Sequence, residues 1–419
     1  MNRLSSLMME AVDKGAIKSC RQDMTSARSA ALKILAYCHA NGWAGHDPYD
    51  ALNSRIFKAL PFLNARLPRL ALTQVIKRSP FNLRALLLIP KTQNPKGLAL
   101  FLTAFLKLSK LGLLDHKEEF IGIMIEQLNS LRSPRTSYWC WGYSFPWQTR
   151  TLLVPQWAPN LVCTSFVANA FLDLYEIHHE ARYLNMAVSA AEYVLNDLYW
   201  TEDNRIASFN YPTPSSRSQV HNANFLGAAL LCRVYKHSGD QKFLDPALKV
   251  ARYSADRQHS DGSWDYGESP KQHWIDNFHT GYNLCALYRI GQVLETSEFD
   301  THVSRGLEFY KNHFFREDGA PKYFHDRTYP LDVHSVAQSI LTLLELKPLD
   351  ESNLILAQSV FKWGMENLWD EEGFFYHQKR RYFTVKIPYM RWGQAWMLLA
   401  LAALLEDGCG GQPADYRRS

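Results

Sequence analysis

The stretch Trp274-Ile275-Asp276-Asn277-Phe278-His279-Thr280-Gly281-Tyr282-Asn283 opens a run that continues through Leu284, Leu287, Ile290 and Leu294. That apolar spacing predicts a helix. Asp276, His279, Thr280 and Asn283 fall at i, i+3, i+4 and i+7, so its first two turns carry a polar stripe on one face. Four other runs are built alike, with polar starts at Thr164, Ser165 and Asn169; His221, Asn222 and Asn224; His334 and Gln338; and Arg391 and Gln394.

Helices of this set begin near Gly97, Cys163, His221, Asp276, Val333 and Tyr389, and from the second start they recur about every 55 to 58 residues. Such a period marks an internal repeat. A second helix follows each of the first five, at about 115–132, 181–198, 241–258, 299–314 and 350–368. These lead into turns such as Asp261-Gly262-Ser263-Trp264 and Asp318-Gly319. The last helix, Trp392 to Leu405, lacks a following partner, and the first, at 27–41, lacks a preceding one. Pairing the two closes a ring of six hairpins. The expected fold is an all-α (α/α)6 toroid over residues 25–407, with an N-terminal arm at 1–24, an insertion at 56–95 and a tail at 408–419. No convincing run of alternating strands is found.

Composition sets wider bounds. Of the 419 residues 47% are hydrophobic and 21% charged, enough for a large core. A net charge of +5 argues against a nucleic-acid partner, which would call for a basic domain or stripe. The seven cysteines, at 20, 38, 140, 163, 232, 285 and 409, form no metal or disulfide spacing, and several sit in apolar helical runs. The start of the chain has no apolar signal segment, and no run is long enough to span a membrane without charge. A reducing, cytoplasmic location is expected. The 56–95 segment combines short apolar runs with Arg66, Arg69, Lys77, Arg78, Arg84 and Lys91. It reads either as a charged skin over a packed excursion, or as a contact for a membrane surface or for polysaccharide-synthesis machinery.

In a ring of six hairpins the more apolar helix of each pair lies inside, so six N-termini and the polar residues share one mouth. Helix N-termini carry partial positive charge and unpaired N–H groups. Arg391, with Arg150 and Arg217 from the loops, adds full charges, so the mouth is expected to favour an anionic saccharide or sugar precursor. Asp276 and Ser165 have a second reading as helix caps. The 12 Trp and 21 Tyr, many beside Gly, Asp or Asn, serve either as sugar platforms or as plugs over helix ends.

Several strings resemble bacterial polysaccharide-biosynthesis proteins of the six-hairpin type. They are His46-Asp47-Pro48-Tyr49-Asp50-Ala51-Leu52-Asn53-Ser54, Trp141-Gly142-Tyr143, Trp147-Gln148, Val220-His221-Asn222-Ala223-Asn224 and the Trp274–Tyr282 stretch. The resemblance runs from about residue 27 to 405. It implies a role in building or trimming a surface polysaccharide, within a fold shared by glycosidases, uronate lyases and sugar epimerases.

Two chemistries suit such a rim. Hydrolysis needs a carboxylic acid and a carboxylate across the scissile bond, here Asp276 with Asp50, Asp47, Asp265 or Glu268. Elimination or epimerisation needs a base and an acid at one carbon, for which His279, Tyr282 and His334 are candidates. Asn222, Asn224 or Arg391 would hold a carboxylate. Substrate contacts are expected from Trp141, Trp147, Gln148, Arg150, His221, Trp264, Trp274, Gln338, Trp392 and Gln394. No cofactor and no metal is expected. The alternative is a toroid that binds a glycan or a synthase without catalysis.

Overall fold

The computed structural model describes residues 23–149, 152–203 and 205–410. The arm expected at 1–24 and the tail at 408–419 lie outside these, apart from residues 23–24, which open the first helix, and 408–410, which finish the last. The inner helices are Pro95–Lys110, Leu161–His178, His221–Ser238, Asn277–Leu294, Val333–Glu345 and Ala395–Gly410, the last entered through the wide helical turn Met390–Gln394. Each packs on the next, and the sixth packs on the first, so the ring closes as an (α/α)6 toroid. The outer helices are 23–40, Lys117–Ser130, Ala181–Tyr193, Leu244–Ala255, Asp300–Phe314 and Ser352–Leu368. Short hairpins that the sequence did not signal join them, such as Tyr199–Glu202 paired with Ile206–Phe209.

Close helix approach in the ring depends on small residues. A Cβ on Gly281 would stand 2.6 Å from Thr342 Oγ1 and 2.9 Å from Gln338 Cγ, so its absence lets the fourth and fifth inner helices touch. Among the described residues the centre is filled at the N-terminal end, by an aromatic plug of Phe166, Phe278, Tyr282, His334, Trp392 and Trp396. Toward the inner helices' C-termini the ring surrounds an open cavity of about 1400 Å³, with Ala99, Ala229, Ala286 and Ala403 among its walls. Ion pairs between neighbouring inner helices and their ends hem this side: Lys107–Glu406, Asp173–Arg233, Arg289–Glu345 and Lys347–Asp407.

The 56–95 insertion folds as short helical turns and the helix Arg66–Arg78. Its own apolar core is small, formed by Ala51, Ile76 and Ile89 with Leu72 and Leu87 against them. Buried charge does the rest. Arg84, fully buried, donates to both Asp50 oxygens at 2.8 and 3.1 Å and to the Asp47 carbonyl at 2.7 Å. The Asp47 carboxylate in turn takes two bonds from Arg391, at 2.6 and 2.9 Å, at the head of the sixth inner helix. Asp47→Ala would strand the buried Arg391 guanidinium, a loss of about 3–5 kcal/mol. Denaturant unfolding should show that loss, and Asp47→Ala/Arg391→Met should recover most of it. A single variant as stable as the parent would mean the pair does not hold the ring to the insertion.

Candidate functional site

The expected polar residues separate into those that serve the scaffold and those that face the centre. Asn94, Asn160, Asp276 and Asp332 cap four inner helices, accepting from the backbone N–H of Lys96, Cys163, His279 and His334. Asn224 bolts the third inner helix outward, accepting from Ser208 Oγ and Phe209 N and donating to Ser254 Oγ. Gln394 clamps both backbone groups of Phe375 at 2.8 Å. His221 is fixed between Ser254 and Glu268. The indole N–H of Trp141 is bonded to Leu128 O, and that of Trp264 to Ser254 O. Gln148 is taken by Arg69 and by the Thr149 carbonyl. Of these, Asn224, Gln394, His221, Trp141, Trp264 and Gln148 were expected to touch substrate. Their side chains instead complete buried hydrogen bonds, which any toroid of this build needs.

Two further expectations change for the same reason. Asp50, considered as a catalytic carboxylate, is buried in the ion pair with Arg84 and is not available to a ligand. Arg391, expected to attract an anion, is neutralised by Asp47 and packs over the Tyr143 ring. Arg217 lies over Trp200 on an exposed hairpin, and Arg150 falls outside the described residues. Among the described residues the charge argument for an anionic ligand therefore rests on the helix ends rather than on Arg391 or Arg217.

What remains at the mouth is a histidine held by a carboxylate. Asp276 is buried; its Oδ1 caps the helix, and its Oδ2 accepts from Trp274 Nε1 at 3.1 Å and pairs with His279 Nδ1 at 2.8 Å. A carboxylate only accepts, so Nδ1 carries the proton and Nε2 presents its lone pair. The His279 side chain is 22% exposed, and Nε2 has no partner among the described residues. Beside it is a pocket of about 10 Å³, room for one water or one hydroxyl, lined by Asn222, Asp265, Tyr266, Asn283 and others. Asn222 Oδ1 and Asn283 Oδ1, on two residues that line it, are buried without a hydrogen bond among the described residues, which leaves two acceptors for a hydroxyl.

The floor is a second chain of polar groups. Tyr282 Oη and His334 Nε2 are 2.8 Å apart, and Lys96 Nζ donates to the same Oη at 3.4 Å. Lys96 was not anticipated. It is buried, with its ammonium 4.1 Å over Phe166 and 5.2 Å over Tyr282 and Trp396. Burial, reinforced by Arg391, holds its pKa well below the usual lysine range. His334 is pushed well down by burial and by Lys96 and Arg391, and stays a neutral imidazole. Trp392, expected as a platform, is buried in this floor and donates to Asp332. Gln338, bonded to Thr342, lines the cavity on the far side of the plug.

Half-buried tyrosines wall the cleft above. Tyr49 packs on Trp392, Tyr323 on Phe278, and Tyr143 faces Arg391. Tyr266 stacks on Trp274 at 4.4 Å and meets His279 at 4.8 Å. Trp147 packs edge-on against Tyr143 at 6.3 Å. Burial pushes the Tyr143, Tyr266 and Tyr323 phenols well above their ordinary range and Tyr211 up to about 12, so all four stay neutral donors near pH 7.

No protein-family model matches the sequence, and no curated protein is similar to it. Solved structures do match the fold. Cellobiose 2-epimerase from Spirochaeta thermophila superposes with a TM-score of 0.57 at 11% identity, over 75% of this chain and 86% of that one. The GH76 α-mannanase BT2949 of Bacteroides thetaiotaomicron gives 0.59 at 12%, over 77% and 88%. Unsaturated glucuronyl hydrolase from Streptococcus agalactiae gives 0.59 at 10%, over 92% of each chain. All three are named as enzymes acting on sugars. At these identities the likeness shows the six-hairpin toroid itself.

One buried group should be visible in solution. Burial raises the Asp332 carboxyl to about 6 from 3.8, against the bonds from Gln378, His334 N and Trp392 that lower it. Folding therefore favours the protonated form. That contribution is full below the unfolded value and is lost as pH rises through about 6. Between about pH 4 and 7 the parent should lose on the order of 2–3 kcal/mol more stability than Asp332→Asn, read from denaturant midpoints at each pH. Parallel curves for the two proteins would show that the three donors offset the burial.

Proposed function

We propose that this chain is a carbohydrate-active enzyme that moves a proton at a sugar carbon next to a carbonyl or carboxylate, by epimerisation or elimination, in the cleft at the N-terminal mouth. The observation that carries this reading is the Asp276–His279 pair. Asp276 spends its oxygens on three donors, so the proton-accepting atom that the pair leaves free is a histidine nitrogen. In this reading His279 Nε2 takes the proton, and Asp276 fixes the tautomer and stabilises the imidazolium. Neutral phenols, Tyr266 and Tyr323 foremost, donate to the oxygen on which negative charge develops. Asn222 and Asn283 hold a sugar hydroxyl. The Tyr282–His334 pair lies below the cleft surface and supports the floor. Neighbours that include a sugar epimerase on the same scaffold agree with this.

A second reading, hydrolysis, draws on Asp265, which lines the same small pocket as Asp276. The resemblance of the quoted strings supports a role in surface-polysaccharide building or trimming, and the five described cysteines, all free and buried, support a reducing, cytoplasmic setting. No described helix is long and apolar enough to cross a membrane.

The test is incubation with a panel of reducing and uronate oligosaccharides in deuterated water, followed by mass and ultraviolet analysis. Deuterium uptake without cleavage selects epimerisation, and a new double bond selects elimination. His279→Ala should cut the rate about 10²–10⁴-fold. Asp276→Asn should lower kcat more than it raises KM, since it disturbs the base rather than the binding. Gain of water on cleavage would replace this reading with hydrolysis. Binding of a saccharide with no chemistry on any member, unaltered in both variants, would make the toroid a binding module.

A further inference from the structure

Seven of the thirteen large hydrophobic side chains that are exposed among the described residues lie in one short segment: Ile56, Phe62, Leu67, Val75, Phe81, Leu86 and Leu88. Four of them, Phe62, Leu67, Phe81 and Leu86, are 73–75% exposed, which is extreme for side chains of this size. Between Arg55 and Lys91 the sequence holds eight Lys or Arg and no Asp or Glu. Arg84 is neutralised by Asp50 inside the insertion. Lys58, Arg69, Lys77 and Lys91 bond to neutral amide or phenol oxygens and so keep their charge.

The helix Arg66–Arg78 turns Thr73 and Ile76 inward while Leu67 and Val75 stand outward, so it is apolar on two sides. Its inward side is covered by the small insertion core. The outward side shows single apolar side chains set among positive charges of one sign. A bilayer containing anionic lipid matches both features: its acyl boundary takes separate apolar side chains, and its surface potential draws Lys and Arg. A protein partner would need a complementary acidic, apolar surface, and protein interfaces tend to exclude Lys.

We propose that the insertion is a peripheral membrane anchor, which seats Phe62, Leu67, Phe81 and Leu86 in the interfacial region of an anionic bilayer. The anchor is not remote from the cleft. Lys77 Nζ bonds to Tyr49 Oη at 2.6 Å, Arg69 bonds to Gln148, and Tyr49 packs on Trp392 in the floor. Docking therefore brings the mouth to the bilayer surface, where a lipid-carried saccharide would be presented. The docking itself stands or falls independently of any chemistry in the cleft.

Sedimentation of the full chain with lipid vesicles tests this. Phosphatidylcholine vesicles are compared with vesicles that also contain phosphatidylglycerol, at low and high salt. The parent should bind the anionic vesicles at least about ten-fold more tightly, and high salt should weaken that binding. Phe62→Ser/Phe81→Ser/Leu86→Ser should reduce it by about ten-fold or more, and Lys58→Glu/Arg78→Glu should weaken it at low salt and flatten its salt dependence. All these side chains are on the surface, and unchanged thermal melting confirms that each variant is folded. The proposal is overturned if the parent binds neither vesicle, or if the triple variant binds as the parent does. It is also overturned if the parent is an oligomer that the triple variant dissociates while neither binds vesicles, for the patch is then an interface between copies of the chain.

Discussion

Six parallel inner helices bring six N-termini to one end of the ring, and each arrives with unpaired backbone N–H groups. That crowding governs the rest of the molecule. Four ends are closed by the side chains of Asn94, Asn160, Asp276 and Asp332. At the other two a loop carbonyl does the work: Tyr266 O accepts from His221 N, and His46 O accepts from Met390 N. In the fourth inner helix the polar stripe itself begins with such a cap, Asp276. Function has been fitted into what the caps left over. Asp276 shows the overlap, since one of its oxygens closes a helix and the other holds His279.

This explains which parts of the molecule were legible in the sequence. The ring could be read because the hairpins repeat an apolar period and a polar start, and the structure places the helices within a few residues of those starts. The hairpins in the connections could not, because strands of two to four residues are too short to display a period. The site was legible as a set of polar residues but not as a direction. Asn222 and Asn224 are two residues apart, yet one lines the cleft and the other is bolted outward to Ser208 and Ser254. Lys96 did leave a signal. A cation in the first turn of a helix opposes the helix dipole, and a sequence that tolerates it there has a reason to.

The insertion and the ring closure share one residue. Asp47 gives its carboxylate to Arg391 of the ring and its carbonyl to Arg84 of the insertion. An excursion with so little apolar core of its own is thereby tied to a buried charge at the head of the sixth inner helix. Tyr49, two residues on, becomes part of the cleft wall. The shape of the cleft on that side is thus set by a segment that the toroid itself does not require.

The two ends of the ring are held by different forces. At the mouth the centre is packed with aromatic rings, and the pairs Asp47–Arg391 and Asp50–Arg84 are buried, where dissolved ions screen them little. At the far end the ring is hemmed by ion pairs around an open cavity, and partly exposed pairs weaken as ionic strength rises. Salt is therefore a one-sided lever on this molecule. It slackens the hem and lets the cavity end breathe, while the cleft, anchored by its plug, keeps its geometry.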